Sequence, residues 1–291
     1  MEVLTLKTAR TSLTLTPDFG ARVLALVDRR TGRDWIMAGP CTGSATEDAV
    51  FGGAEATGWD ECFPTVGSCA RPDGGMLRDH GDLWGRPWRL EFADGASART
   101  SFVASGWRFS RTMELTGSDI ICNYRAENLS AHTIEYLWAM HALFALTLSD
   151  RIRLPAGARC QASYRNDGRA PGVIHWPSDA AFPLDEVQSR SAGFAAKLQF
   201  DSAPREGVVI GNRTGALLIK GDGAAAASLG LWLCYGGWPQ GGGVHQVAIE
   251  PTSAPYDDLV SARLANRAVR LAPGESVAWR TQLTLLQGLD D

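Results

Sequence analysis

From end to end the sequence alternates apolar and polar residues with a period of two, and no long stretch carries the 3.6-residue stripe of an amphipathic helix. A chain patterned this way must build sheets and pack them on one another, because each strand offers one face to a core. Leu13 and Leu15 alternate with threonines. The apolar run Val23 to Val27 ends in DRRTGRDW, which reads as a hairpin turning at Gly32. Trp107, Phe109, Arg111, Met113 and Leu115 alternate up to a GSD turn, from which IICNYRAEN returns. GVVIGNRTGALLIKGDG forms another hairpin with Asn212 to Gly215 at its tip. Val277, Trp279, Thr281, Leu283 and Leu285 make a final strand after the LAPGE turn. DDLVSARLANRAV is the best helix candidate. Glycine and proline punctuate the chain throughout, with no linker and no shift in composition. Residues 1–291 are therefore expected to form one all-β domain, a large antiparallel β-sandwich with few short helices.

The charge balance narrows the partners. Lysine and arginine total 28 against 32 acids, for a net charge of -4, and no basic block stands out. Nucleic acid and anionic membrane surfaces are not expected as partners. The N-terminus lacks the basic and apolar regions of a secretion signal, and no segment approaches a membrane span, so a cytoplasmic monomer or homodimer is expected. Six cysteines, at positions 41, 62, 69, 122, 160 and 234, include no zinc-type C-x2-C pair. They read as reduced thiols, Cys62 and Cys69 being the one close pair. No phosphate-binding glycine motif opens a helix, and neither a cofactor nor a metal is expected.

Several stretches carry chemistry. LRDHGDLWGRPW, residues 77 to 88, mixes Arg78, Asp79, His80, Asp82 and Arg86 with Trp84 and Trp88. Aromatic faces beside donors and acceptors suit a sugar ring, with its apolar C–H faces and rim of hydroxyls. GGAEATGWDECFPTVG offers Trp59 and Phe63 as stacking surface, and LCYGGWPQGGG places Trp238 in a glycine-rich loop. His132 reads as a solvated loop residue and His175 as a strand-end residue. In VHQVAIEP a regular strand puts Gln246, Ala248 and Glu250 on one face and His245 on the other. His141 sits in the apolar run IEYLWAMHALFAL, whose two parities both look buried; it is either a satisfied core histidine or a functional one. Glu250 closes a strand before the proline-broken loop PTSAPYDDL. It serves either as a general base over a cleft or as a strand-end acid pairing with an arginine such as Arg263.

Taken in order, the strand pair ending in TGRDWI, then GWDECFPT, LRDHGDLW, WAMHALFAL, GGWP, IEPTSAPYDDL and LAPGES resemble the galactose mutarotase-like superfamily, the aldose 1-epimerases and their relatives. The resemblance spans nearly the whole chain. It implies a supersandwich of antiparallel sheets and a cofactor-free interconversion of the α and β anomers of a free aldose. It further implies Glu250 as the base at the C1 hydroxyl, His141 as the acid at the ring oxygen and His80 as a hydrogen-bonding partner near that oxygen. Arg78, Trp84, Trp59, Trp238 and Asp185 are the expected substrate-binding residues. Met140 stands where the family commonly has asparagine. Two other outcomes stay open on the same fold: a non-catalytic carbohydrate-binding or sensing protein, and a sugar-phosphate mutarotase or epimerase drawing on Arg71, Arg78, Arg86 and Arg190.

Overall fold

The structure, a computed structural model, describes residues 1–39, 51–52, 56–71, 74–104, 106–179 and 181–289. Two large antiparallel sheets dominate it. The larger runs in the order Leu4–Lys7, Thr11–Thr16, Arg22–Asp28, Trp59–Cys62, Ala139–Phe144, His245–Thr252, Ser228–Tyr235, Phe194–Phe200, Arg159–Arg165 and Val173–His175, with Arg33–Asp34 added beside Arg22–Asp28. The second runs Arg151–Arg153, Val208–Asn212, Gly215–Asp222, Ser276–Leu286, Asp119–Asn128, Trp107–Thr116, Ser97–Ala104 and Arg89–Ala93. The hairpins expected at Gly32, at the GSD turn and at Asn212 to Gly215 are all present. The expected helix is the short Leu259–Leu264, capped by Asp258, whose carboxylate accepts from the Ser261 N–H at 2.7 Å.

The period-two pattern explains how the sheets meet. Leu229, Leu231, Leu233 and Tyr235 point from one strand into the core between the sheets, as do Val247 and Ile249 from its neighbour. Phe109, Tyr124 and Trp279 answer from the smaller sheet, with Tyr124 and Trp279 stacked and Trp138 against both. Burying these rings gives the main favourable term in folding. The larger sheet is unusual in what its other face does. Ala139, His141 and Leu143 are as buried as Met140 and Ala142, yet they lie outside the inter-sheet cluster. Loops carrying Phe51, Val66 and His80 cover that second face and leave a cavity over its middle strands.

Candidate active site

The cavity, of about 250 Å³, is lined by Phe51, Val66, His80, His141, Leu143, Tyr164, Lys197, Trp232, Trp238, Gln246, Glu250 and Asp257, among others. Its floor is one row of the larger sheet. Asp60 pairs with His141, Gly230 with Glu250, and Gln199 with Gly230. The pairs Ala139–Thr252 and Leu143–Ala248 lie symmetrically about His141 and Glu250, which sets those two residues opposite each other on adjacent strands. Gly230 is the gap in this row. A Cβ there would lie 2.8 Å from Glu250 Oε2, so glycine leaves the space through which the Lys197 ammonium reaches that oxygen and donates to it.

Lys197 is 9% exposed and also lies 3.9 Å from Asp257. Burial works against its charge, but Glu250 and Asp257 outweigh that cost and raise the ammonium above its ordinary value. Asp257 is itself held, accepting from Gln199 Nε2 at 2.7 Å and from Ser163 Oγ at 2.8 Å. Glu250 Oε1 has no protein partner among the described residues.

His80 comes from the loop above this floor. It adopts φ of 60° and Gly81 follows at 69°, so the chain turns sharply there, and a Cβ on Gly81 would overlap the Phe63 backbone. The turn is pinned to the segment 63–66: the His80 N–H donates to the Val66 carbonyl at 2.5 Å and the Asp82 N–H to the Phe63 carbonyl at 2.6 Å. Phe51 stacks on the His80 ring at 3.8 Å, and the His80 and His141 ring centroids are 4.6 Å apart. Burial, with the nearby charges of His80, Lys197 and Arg22, holds His141 well below the usual histidine value. Arg22 itself is neutralised by Asp60 in a buried pair, with Nε and an Nη donating to the two carboxylate oxygens at 3.1 and 2.6 Å.

The overall structure has counterparts among solved structures. No protein-family model matches the sequence, and no curated protein matches it. In structure the chain is similar to the Slr1438 protein from Synechocystis sp. PCC 6803, with a TM-score of 0.73 and 14% identity over 98% of this chain and 96% of that one. It is similar to a galactose mutarotase related enzyme from Lactobacillus acidophilus, with a TM-score of 0.69 and 15% identity over 100% and 99%. A galactose mutarotase-like protein from Lactobacillus casei ATCC 334 gives 0.66 and 13% over 98% and 100%. The chain has the galactose mutarotase-like fold.

On the mutarotase-like fold the sequence-derived residues divide cleanly. Glu250, His141, His80 and Trp238 line the cavity together. Trp59 does not: it is fully buried between the sheets, its Nε1–H donating to Glu61 Oε1 at 3.1 Å, because odd positions of Trp59–Cys62 face the core. Trp84 is also off the cavity wall. Its ring packs edge-on behind Phe51, and its Nε1–H donates to the Asp79 carbonyl at 2.8 Å. Arg78 is a brace and does not line the cavity either: Nε donates to the Gly81 carbonyl at 2.6 Å, an Nη to the Trp84 carbonyl, and the guanidinium lies 4.4 Å over the Trp84 ring. Both residues therefore hold the loop that presents His80. Asp185 is elsewhere, its carboxylate near Tyr235 on the core side of the sheet.

The alternative partner for Glu250 is excluded too, since Arg263 pairs with Glu135 at 2.5 Å. His245, on the opposite face from Glu250, meets the Gln188 carbonyl at 2.8 Å. Cys62, Cys69, Cys122, Cys160 and Cys234 are free thiols, and Cys41 lies outside the described residues. None of Arg71, Arg78, Arg86 and Arg190 lines the cavity; Lys197 is the cation there among the described residues.

Sequence reasoning missed Lys197, Gln246, Asp257, Phe51 and Tyr164 as cavity residues. Lys197 carried a usable signal, a lone cation in the apolar strand FAAKLQF at the parity opposite its aromatic residues. No described helix is long and apolar enough to cross a membrane.

Proposed function

We propose that the protein binds a monosaccharide in this cavity and interconverts its anomers as an aldose 1-epimerase-like isomerase. The observation that supports this most is the set of buried polar atoms, on residues lining the cavity, that have no protein partner among the described residues: His141 Nδ1, Gln246 Nε2 and Oε1, and Glu250 Oε1. Burying such atoms unsatisfied costs about 1–3 kcal/mol each, so the arrangement makes sense when a ligand supplies both donors and acceptors. A ring of hydroxyls does so. Phe51, Trp232 and Trp238 supply apolar surface for its C–H faces, and the volume suits one sugar ring better than a chain.

In the productive complex Glu250 is a carboxylate and His141 an imidazolium. Glu250 takes the proton of the C1 hydroxyl, the C1–O5 bond breaks as the C1 carbonyl forms, and His141 delivers its proton to O5. The low basicity of His141 makes its protonated form a strong acid for that step. Rotation about C1–C2 and the reverse transfers close the ring on the other face. His80 steadies the developing charge at O5, and Lys197 orients Glu250 through the oxygen that does not face the sugar.

The same Lys197–Glu250 pair is the observation that favours the second reading, a sugar-binding or sensing protein whose carboxylate is permanently engaged. The deciding experiment follows the equilibration of fresh α-D-glucose, α-D-galactose and their 6-phosphates by NMR with wild type and Glu250→Gln. Acceleration over buffer that collapses in the variant is the expected result. Saturable sugar binding with no acceleration would instead establish the binding protein, and acceleration confined to the 6-phosphates would move the substrate to a sugar phosphate.

A further inference from the structure

Behind the two histidines that line the cavity, the buried Cys62, which the anomer reaction does not use, completes a second chemical set. Cys62, His80 and His141 each bring one ligand atom to the same spot, all of them within 4.8 Å of one another. They come from three separate places: the end of strand Trp59–Cys62, the pinned turn at residue 80 and the strand Ala139–Phe144. Cys62 and His141 face the cavity side because their strands pair in register, Ala139 with Cys62 and His141 with Asp60. Nδ1 of each histidine is buried with no hydrogen-bond partner; His80 Nδ1 lies 3.2 Å from Asp79, without the alignment of a hydrogen bond. No group among the described residues hydrogen-bonds the Cys62 sulfur, which is fully buried.

One thiol and two imidazoles form a ligand set of borderline-soft character. Three protein ligands around an open position are also the usual arrangement of an accessible zinc centre, as against the closed four-ligand structural kind. We propose that Cys62, His80 and His141 bind a borderline-soft divalent cation, Zn2+ in particular, with the fourth position open to the cavity. On binding, the Cys62 S–H bond is lost as the metal–sulfur bond forms, and the proton leaves to solvent. The charge that remains is accommodated by Asp79 beside His80. Oxygen-seeking ions such as Mg2+ gain little from this set and do not compete.

A regulatory consequence follows, which rests on the reading given under Proposed function. An ion there takes up the nitrogen lone pairs of both histidines, so His141 can no longer carry a proton to the ring oxygen. Zn2+ is then a reversible inhibitor of anomer exchange, and a chelator restores it.

The test uses Co2+ as a spectroscopic stand-in, added to the purified full-length protein after treatment with EDTA and a thiol reductant. The expected result is a thiolate-to-cobalt charge-transfer band that saturates at one ion per chain and is displaced by Zn2+. Cys62→Ser abolishes the band and weakens Zn2+ binding by at least ~10-fold, the order of loss seen when the surroundings of a metal are disturbed; Cys160→Ser, on the strand Arg159–Arg165 and outside the cavity lining, retains the band. Should Cys62→Ser fold poorly by circular dichroism, His80→Ala, a change in a half-buried turn, must weaken Zn2+ binding by a similar factor. Absence of the band, or Zn2+ affinity unchanged in both variants, overturns the site. A band with no detectable sugar turnover leaves the metal site standing and removes the isomerase reading instead.

Discussion

Two buried carboxylates, Glu61 and Glu250, occupy opposite faces of the same sheet and have opposite surroundings. Glu61 lies in the core, where Oε1 accepts from Arg111 at 2.9 Å, Trp59 Nε1 at 3.1 Å and the Tyr124 hydroxyl at 3.1 Å, and Oε2 accepts from Trp138 Nε1 at 2.9 Å. Burial pushes its carboxyl up to about 7 against the pull of Arg111 and these donors. Glu250 accepts from Lys197 alone among the described side chains, and its other oxygen faces the cavity without a partner. The difference teaches how to tell structure from chemistry in this molecule. A buried acid whose acceptor sites are filled by protein holds the fold together. One that leaves an oxygen unfilled in a cavity is available to a ligand.

The sharpest way to break this contrast is to remove one charge from each side. Glu250→Gln is expected to slow anomer equilibration by about 10²–10⁴-fold, with only a small change in melting temperature because Lys197 keeps Asp257 3.9 Å away. Glu61→Gln leaves Arg111, which is 1% exposed, buried beside a neutral group. Its expected cost is about 3–5 kcal/mol in urea unfolding, with the rate per folded molecule retained. If the two outcomes are exchanged, the assignment of roles is wrong.

The tryptophans extend the comparison. Trp59→Ala should destabilise by about 3–5 kcal/mol, whereas Trp238→Ala should weaken sugar binding by roughly tenfold and leave most of the stability in place. Calorimetric titration with the sugar, paired with thermal melts, separates the two effects. Equal losses of stability would place Trp238 in the core with Trp59.

Gly230→Ala probes the gap between Glu250 and Lys197. The added methyl meets Glu250 Oε2, and displacing that carboxylate should cost up to ~10²-fold in rate while KM changes little. Lys197→Met removes the opposing charge instead. The carboxylate then loses the donor on Oε2, so the rate should fall by roughly tenfold or more, and an unchanged rate would deny Lys197 any part in holding the base.

The smallest effect belongs to an ion cluster at the rim of the sheet. Hydrogen bonding to Arg165 holds the Asp167 carboxyl below its ordinary value. The group therefore contributes stability above the ordinary carboxylate range and loses it as pH falls through the lowered value. Asp167→Asn should cost under ~1 kcal/mol at neutral pH and nothing in acid, a difference that melts recorded across that range would show.

Much of this was legible in the residues themselves. Alternation marked the hairpins at Gly32, at the GSD turn and at Asn212 to Gly215, because strand pairing between neighbours in sequence depends on local pattern and turn chemistry. The parity of VHQVAIEP put Glu250 and His245 on opposite faces, as the strand does. Parity could not say which face of IEYLWAMHALFAL is the core, since both are covered and both are apolar.

The chain alone thus determined a sheet protein, its strand parities and the polar residues set against apolar neighbours. Only the tertiary structure decided which face of the larger sheet packs on the other sheet and which forms the floor of a cavity. The reason is physical: the row Asp60, His141, Glu250, Gly230 and Gln199 is drawn from strands up to 190 residues apart in number. Burial in it depends on loops that pattern does not place. For the same reason Trp59 and Trp84 read as sugar platforms and turned out to be core and brace. Lys197 read as nothing in particular and stands beside the carboxylate that the chemistry needs.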